Sequence, residues 1–247
     1  MKSGTGALEE VRPGVVLLAA LGGFAVGEVV ATLLVGIGAT LAHTPGGVAA
    51  LASAATPPWW VNAASLVGLW CGFALAVVAA RGPGGLAPWP STWRLRASDA
   101  RFVVLGVGAQ LLIALAYEPF HVQNFAKPVT RLFGATHGVT FTLLVVLTAL
   151  GAPIAEEWFF RGVLMRGLVA AFGRVGARWA TALGVVVSAV VFAAAHGEPA
   201  QFAGLAVLGV VLALVAWRTR RLAASAVVHA SFNSVALVAL IAQRWHG

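Results

Sequence analysis

Long apolar runs recur along this chain, and they constrain its fold more than any other feature. A helix needs about 20 residues to cross a bilayer. Charged residues make up only 10% of the chain, against roughly 25% in soluble domains. We therefore expect an integral, multi-pass membrane protein. The apolar runs cover residues 15–41, 59–80, 102–117, 139–172, 179–196, 202–217 and 222–242.

These runs predict helices, because a spanning segment must satisfy its own backbone hydrogen bonds inside the bilayer. The alternation of apolar and polar residues typical of an outer-membrane barrel is absent from the sequence. The fourth run contains Gly151 and Pro153, so it is either one kinked helix or two helices. The predicted fold is an all-α, polytopic transmembrane bundle of seven or eight helices.

The basic residues predict an orientation rather than a nucleic-acid partner. The net charge is +8, but the basic residues lie between the apolar runs and form no basic face with interleaved aromatics. With the N-terminus in the cytoplasm, twelve of the 16 Lys and Arg residues fall in inside segments and three in outside segments, with Arg161 left within a span. Seven spans would place the C-terminus outside. Compact loops favour a bacterial plasma membrane.

The chain is predicted to form one membrane domain in three parts. Residues 1–14 are a cytoplasmic N-terminal segment, residues 15–135 are N-terminal transmembrane helices, and residues 136–247 carry the site-bearing helices. The only cysteine, Cys71, excludes an intramolecular disulfide and a cysteine-rich metal site. The sequence does not indicate an oligomeric state.

A pair of carboxylates and an arginine interrupt the fourth apolar run. Ionisable groups at membrane depth are costly and indicate a functional site. Glu157 and Arg161 are four residues apart and can pair on one helix face, which predicts a structural ion pair. Glu156 points about 100° away from Glu157, and it remains free to act as a general base.

Partners for Glu156 come from two later spans. Glu156 lies seventeen residues before Gly173, and His196 lies twenty after Gly176, so antiparallel helices place both at similar depth. His229 and Asn233 are four residues apart on the last span. An imidazole and an amide side by side are suitable donors to a developing oxyanion.

Each group also has a structural interpretation. A histidine at a span end is often a packing residue, a buried acid pair with an arginine can brace a bundle, and His229 with Asn233 can join helices by hydrogen bonds. The occurrence of all three groups in one half of the chain favours a site. Glu28, in the first span, either lines the cavity or pairs with an arginine such as Arg161.

The three motifs together resemble those of the CPBP family, which contains the type II CAAX prenyl endopeptidases and is also called the ABI family. They read Glu-Glu-x-x-x-Arg at 156–161, Phe-x-x-x-His at 192–196 and His-x-x-x-Asn at 229–233. The similar part runs from about residue 150 to 238. The resemblance implies an intramembrane endopeptidase that cleaves membrane-bound peptides or proteins. It implies that Glu156 and His196 activate water and that His229 and Asn233 hold the oxyanion, with Glu157 and Arg161 in support.

Other protease chemistries fit the sequence less well. An aspartyl dyad is impossible because Asp99 is the only aspartate, and a His-Glu-x-x-His zinc motif is absent. We expect no cofactor. Zinc held by Glu156, His196 and His229 is the nearest alternative. A non-catalytic immunity or transporter-like membrane protein is the alternative from another functional class.

Overall fold

The computed structural model describes residues 11–89, 92–120, 127–134 and 136–246. Within these ranges the chain forms helices and connecting segments, without a strand. The predicted all-α class is therefore confirmed. Residues 1–10 of the predicted cytoplasmic segment lie outside the described residues, and the first helix begins at Pro13. The division at residues 135 and 136 stays a prediction.

The α-helices in the described ranges are labelled here in chain order. Two π-helical segments, Leu147–Gly151 and Glu157–Leu164, join α6, α7 and α8 into one continuous helical segment. The helices are α1 Pro13–Leu41, α2 Gly47–Ser53, α3 Trp59–Ala79, α4 Ala100–Tyr117, α5 Lys127–Phe133, α6 Gly138–Val146, α7 Ala152–Glu156, α8 Met165–Ala171, α9 Ala177–Ala195, α10 Phe202–Thr219 and α11 Leu222–His246.

Seven helical segments of the described chain are long and apolar enough to cross a membrane. Each overlaps one predicted run, and the fourth is a single span of 34 residues despite Pro153. The alternative with eight spans is therefore wrong. The segments are Pro13–Leu41, Trp59–Ala79, Ala97–Phe120, Gly138–Ala171, Ala177–Ala195, Pro199–Thr219 and Leu222–Arg244.

Helices α1 and α3 pack closely because small residues face each other along their contact. In each helix these residues recur every fourth position, which lets two backbones approach within a bilayer. A Cβ added at Gly72 would overlap the backbone of Gly23 and Gly27. The contact surfaces contain Gly23, Gly27 and Ala31 on α1 and Gly68, Gly72 and Ala76 on α3.

We expect Gly72→Ala to destabilise the protein by about 1–3 kcal/mol, the usual cost of overpacking a closely packed interior. The matched control is Gly108→Ala on α4, where an added Cβ meets nothing within 4 Å. Alanine favours a helix over glycine, so the control should be neutral or stabilising. The measurement is the temperature at which folded protein is lost in detergent. Equal midpoints for the two variants would contradict this packing.

The continuous segment of α6 to α8 packs against α1 and α3 from the first half of the chain and against α9 and α11 from the second. Helix α9 packs against α8 and α10, and α11 packs against α4 and against both π-helical segments. A buried ion pair between Arg221 and Asp99 joins the start of α11 to the turn before α4. Large apolar side chains such as Leu18, Leu112 and Val238 remain exposed, as expected for surfaces that face lipid.

Candidate active site

The two adjacent glutamates lie where α7 passes into the second π-helical segment. Glu156 ends α7, and Glu157 begins the π-helical segment that continues to Leu164. A π-helical turn is wider than an α-helical turn and closes through an i→i+5 hydrogen bond. Residues four apart still lie over one another in it, so Arg161 reaches back to Glu157. Such segments are rare and are frequent at functional sites.

Glu157 is the buried centre of a charged network. Its Oε1 atom accepts a hydrogen bond from Arg161 Nη1 at 2.8 Å and lies 3.2 Å from His229 Nδ1. Both charged side chains are at most 1% exposed. The ion pair expected from the four-residue spacing is present, and the contact between Glu157 and His229 is an addition that the sequence did not predict.

The Arg161 guanidinium is held from three directions. Besides Glu157, it donates through Nη2 to the Gly209 carbonyl at 3.3 Å and lies 4.4 Å from the centre of the Phe192 ring. A Cβ added at Gly209 would be 2.9 Å from Ala189 Cα. The close contact of α10 with α9 therefore requires glycine at the position that supplies this carbonyl.

Glu156 faces both histidines rather than the arginine. Its Oε2 atom is 4.0 Å from His196 Nε2 and 3.8 Å from His229 Nε2. These distances exceed a direct hydrogen bond but allow a bridging water. Oε2 is buried and has no hydrogen-bond partner among the described residues. The structure thus brings Glu156, His196 and His229 together as expected from the sequence.

The contact that Nδ1 of each histidine makes determines the orientation of its ring, and therefore the position of Nε2. His196 Nδ1 lies 2.8 Å from the Phe192 carbonyl, and His229 Nδ1 lies 3.2 Å from the Glu157 carboxylate. Carbonyl and carboxylate oxygens are acceptors, so each Nδ1 carries the hydrogen. In the neutral His196 ring, Nε2 is then an acceptor that faces Glu156 Oε2. Two acceptors that face each other at 4.0 Å favour a donor such as water between them.

The two histidines differ in what they contact through Nδ1. The partner of His196 is a neutral carbonyl, and burial, the largest cause, lowers the pKa of His196 below its ordinary value. His196 is therefore neutral at neutral pH. The partner of His229 is the Glu157 carboxylate. His229 is 3% exposed, whereas His196 is 30% exposed, so the site opens on the His196 side.

Asn233 has a partner that the sequence did not predict. Its Nδ2 donates to the Thr148 carbonyl at 3.1 Å. In this π-helical segment the Ala152 N–H bonds to the Leu147 carbonyl, so the next carbonyl, that of Thr148, would pair with the N–H of residue 153. That residue is proline and has no N–H. Asn233 supplies the missing donor and retains a second amide hydrogen.

Glu28 does not pair with Arg161, which corrects one of the two roles expected for it. Arg161 is instead paired with Glu157 on its own helix. Glu28 lines a separate cavity of about 410 Å³ between α1, α2 and α3. Asn62 and Arg131 line the same cavity. The four predicted catalytic residues are not among the residues that line this cavity.

The zinc alternative agrees with part of this geometry. Metal-bound histidines usually donate their other N–H to a carbonyl or carboxylate, as His196 and His229 do. However, ligands about 2.0–2.1 Å from a tetrahedral zinc would be roughly 3.4 Å apart. The separations here are 3.8 and 4.0 Å, and the described residues contain no group of three or more His, Cys, Asp or Glu arranged to hold a metal ion.

Residues 138–235 match the family model described as Rce1-like, type II CAAX prenyl endopeptidase. This region is similar to that endopeptidase family. It contains all six residues predicted for the site, and it begins earlier than residue 150, the start expected from the motifs. It covers less than half of the chain, so α1 to α5 lie outside the match. No curated protein and no solved structure matches this chain.

The matched region also contains contacts that the motifs do not reveal. The Thr148 and Gly209 carbonyls bind Asn233 and Arg161, respectively. Main-chain acceptors have no residue-type signal, so sequence reasoning missed them. Pro153 was the one available signal, because a proline inside a helix leaves a carbonyl without its donor.

Proposed function

We propose that the protein is an intramembrane endopeptidase that hydrolyses peptide bonds of membrane-associated proteins or peptides. The match to the Rce1-like family model and the seven spanning helices support a peptidase of the CAAX type within a bilayer. One observation carries the assignment of residues. It is the convergence of His196 Nε2 and His229 Nε2 on the buried, unpartnered Oε2 atom of Glu156.

In the proposed mechanism, Glu156 and His196 activate a water. The water oxygen attacks the scissile carbonyl carbon while Glu156 Oε2 takes one of its protons. His196 Nε2 accepts a hydrogen bond from the other O–H of the water, and this bond orients the water oxygen. When the carbon–nitrogen bond breaks, Glu156 returns its proton to the leaving amine. The products are a carboxylic acid and an amine, and no covalent enzyme intermediate forms.

His229 and Asn233 stabilise the oxyanion of the tetrahedral intermediate in this scheme. In this role His229 donates an Nε2–H to the oxyanion, while its Nδ1 stays against the Glu157 carboxylate. The second amide hydrogen of Asn233 is available for the same purpose. Arg161 balances the charge of Glu157 and holds it in place. We further propose that the enzyme acts in a bacterial plasma membrane.

The direct test compares membranes that contain wild-type protein with membranes that contain Glu156→Gln protein at equal abundance. New amino termini of membrane proteins are identified by terminal labelling and mass spectrometry. We expect a defined set of new termini with the wild type only. The same termini in both samples would assign the cleavage to another protease, and an absence of new termini in both would count against the endopeptidase.

Chelation separates the glutamate–water scheme from the zinc alternative. We expect purified protein treated with 1,10-phenanthroline to keep its cleavage rate, because the donor atoms around Glu156 Oε2 are farther apart than zinc requires. Metal content is measured on the same sample. The zinc alternative predicts one equivalent of zinc, whose removal abolishes activity and whose return restores it. That result would make Glu156 a zinc ligand rather than the base that activates water.

A further inference from the structure

Three arginines lie close to the rings of two tryptophans at the end of the bundle that carries α8 and the start of α11. Arg166 on α8 lies 4.9 Å from the Trp89 ring centre, and Arg220, between α10 and α11, lies 5.7 Å from the same ring. Arg81, after α3, lies 5.7 Å from the Trp158 ring centre. We call Arg81, Arg166 and Arg220 the arginine cluster.

Among the described residues, the arginine cluster lacks the acidic partners that the two buried arginines Arg161 and Arg221 have. Arg161 pairs with Glu157 and Arg221 pairs with Asp99. In the described part of the chain, no carboxylate lies within 4.0 Å of any member of the cluster. Arg166 donates to the Ala87 carbonyl at 2.6 Å, but this bond does not neutralise its charge. The three cations therefore repel one another.

The cluster has an open side that an anion can reach. Arg81 and Arg220 are exposed, whereas Arg166 is partly buried behind them. The cavity lined by Arg81, Arg166, Trp89 and Trp158 has a volume of about 20 Å³, which is room for about one water. A larger anion would therefore bind at the mouth formed by the two exposed guanidinium groups.

The position of the arginine cluster indicates which class of anion it would meet. The distribution of Lys and Arg predicts that this end of the bundle faces the cytoplasm. The cytoplasmic leaflet contains anionic lipids, and basic pockets between transmembrane helices on this side bind lipid headgroups. Guanidinium groups match the geometry of phosphate oxygens. Tryptophan rings lie preferentially at the headgroup level.

We propose that the arginine cluster binds the phosphodiester headgroup of an anionic phospholipid from the cytoplasmic leaflet. The exposed Arg81 and Arg220 contact the phosphate oxygens, and Arg166 adds positive charge from behind. Trp158, one residue after Glu157, forms part of the wall, so the lipid lies against the helical segment that carries the acid pair. The proposal does not depend on the proteolytic activity.

The test is native mass spectrometry of the full chain in detergent, titrated with phosphatidylglycerol, phosphatidylcholine or inorganic phosphate. The variant is Arg81→Gln/Arg220→Gln. The matched control is Arg174→Gln/Arg178→Gln, which removes two exposed arginines outside the cluster, one from the turn before α9 and one from its first turn. Gel filtration first confirms that each protein is folded. If the double variant does not fold, Arg81→Gln and Arg220→Gln are tested singly.

We expect the wild type and the control to bind phosphatidylglycerol in preference to phosphatidylcholine. The double variant should bind it about 25-fold more weakly, since each basic residue near an anionic surface contributes about fivefold. Each single variant should lose about fivefold on the same basis. Equal binding by variant and control would overturn the proposal. Binding of inorganic phosphate as tight as that of phosphatidylglycerol would overturn the lipid as ligand. Absence of lipid binding in the wild type would overturn it too.

Discussion

Glu156→Gln is expected to lower the cleavage rate by about 10²–10⁴-fold, the usual contribution of a positioned general base. The amide has nearly the shape of the carboxylate but cannot accept a proton from water. In the wild type, Glu156 Oε2 faces two imidazole nitrogens and has no hydrogen-bond partner in the described part of the protein. Cleavage of a membrane-bound substrate by purified protein in vesicles measures the effect.

The same substitution should leave the protein folded. Glu156 takes no part in the ion pair of Glu157 and Arg161, so we expect its stability to change by less than about 1 kcal/mol. Thermal midpoints of the wild type and the variant in one detergent provide the control. A variant that retains the wild-type cleavage rate, with normal folding, would exclude Glu156 as the base.

Arg161→Ala is expected to destabilise the protein by about 3–5 kcal/mol, because breaking a buried ion pair leaves a charge without its partner. Glu157 is fully buried, and Arg161 provides one of its two polar contacts at Oε1. The change also removes the guanidinium that packs on Phe192. The yield of folded, monodisperse protein and its thermal midpoint are the measurements.

Two further variants separate the charge from the loss of packing. Arg174→Ala removes an exposed arginine and should change stability by less than about 0.5 kcal/mol. Glu157→Gln/Arg161→Ala removes the stranded carboxylate and should be more stable than Arg161→Ala alone. If the double variant is no more stable than the single one, the cost arises from the cavity rather than from the unpaired charge. A wild-type midpoint for Arg161→Ala would exclude the structural role of the pair.

The pairing of Glu156 with His196 shows how far sequence reasoning reached. Similar numbers of residues on two antiparallel helices give similar depth, since each residue advances a helix by a fixed rise. That argument placed both side chains in one layer of the bundle, and the two groups lie 4.0 Å apart. The fate of Glu28 could not be predicted in this way, because its partner depended on how α1 packs against the other helices.

The position of His229 shows where sequence reasoning stopped. Spacing placed His229 and Asn233 on one face of the last span, but it did not say which groups that face would meet. In the structure, His229 lies between the two carboxylates and Asn233 binds the Thr148 carbonyl. Both contacts depend on the π-helical segments of the fourth span, which change the direction of side chains without a signal in hydropathy.

The sequence by itself determined the all-α class, a multi-pass bundle of seven or eight spans and the similar level of Glu156 and His196 in it. Hydropathy and helical rise are local properties, and the bilayer requires helices wherever apolar residues must cross it. Only the tertiary structure decided which atoms meet. The sharing of Glu157 Oε1 by Arg161 and His229, and the position of Glu156 Oε2 beside two imidazole nitrogens, arise from the packing of separate helices. Distances between side chains on different helices depend on their rotation and close approach, which no single segment encodes.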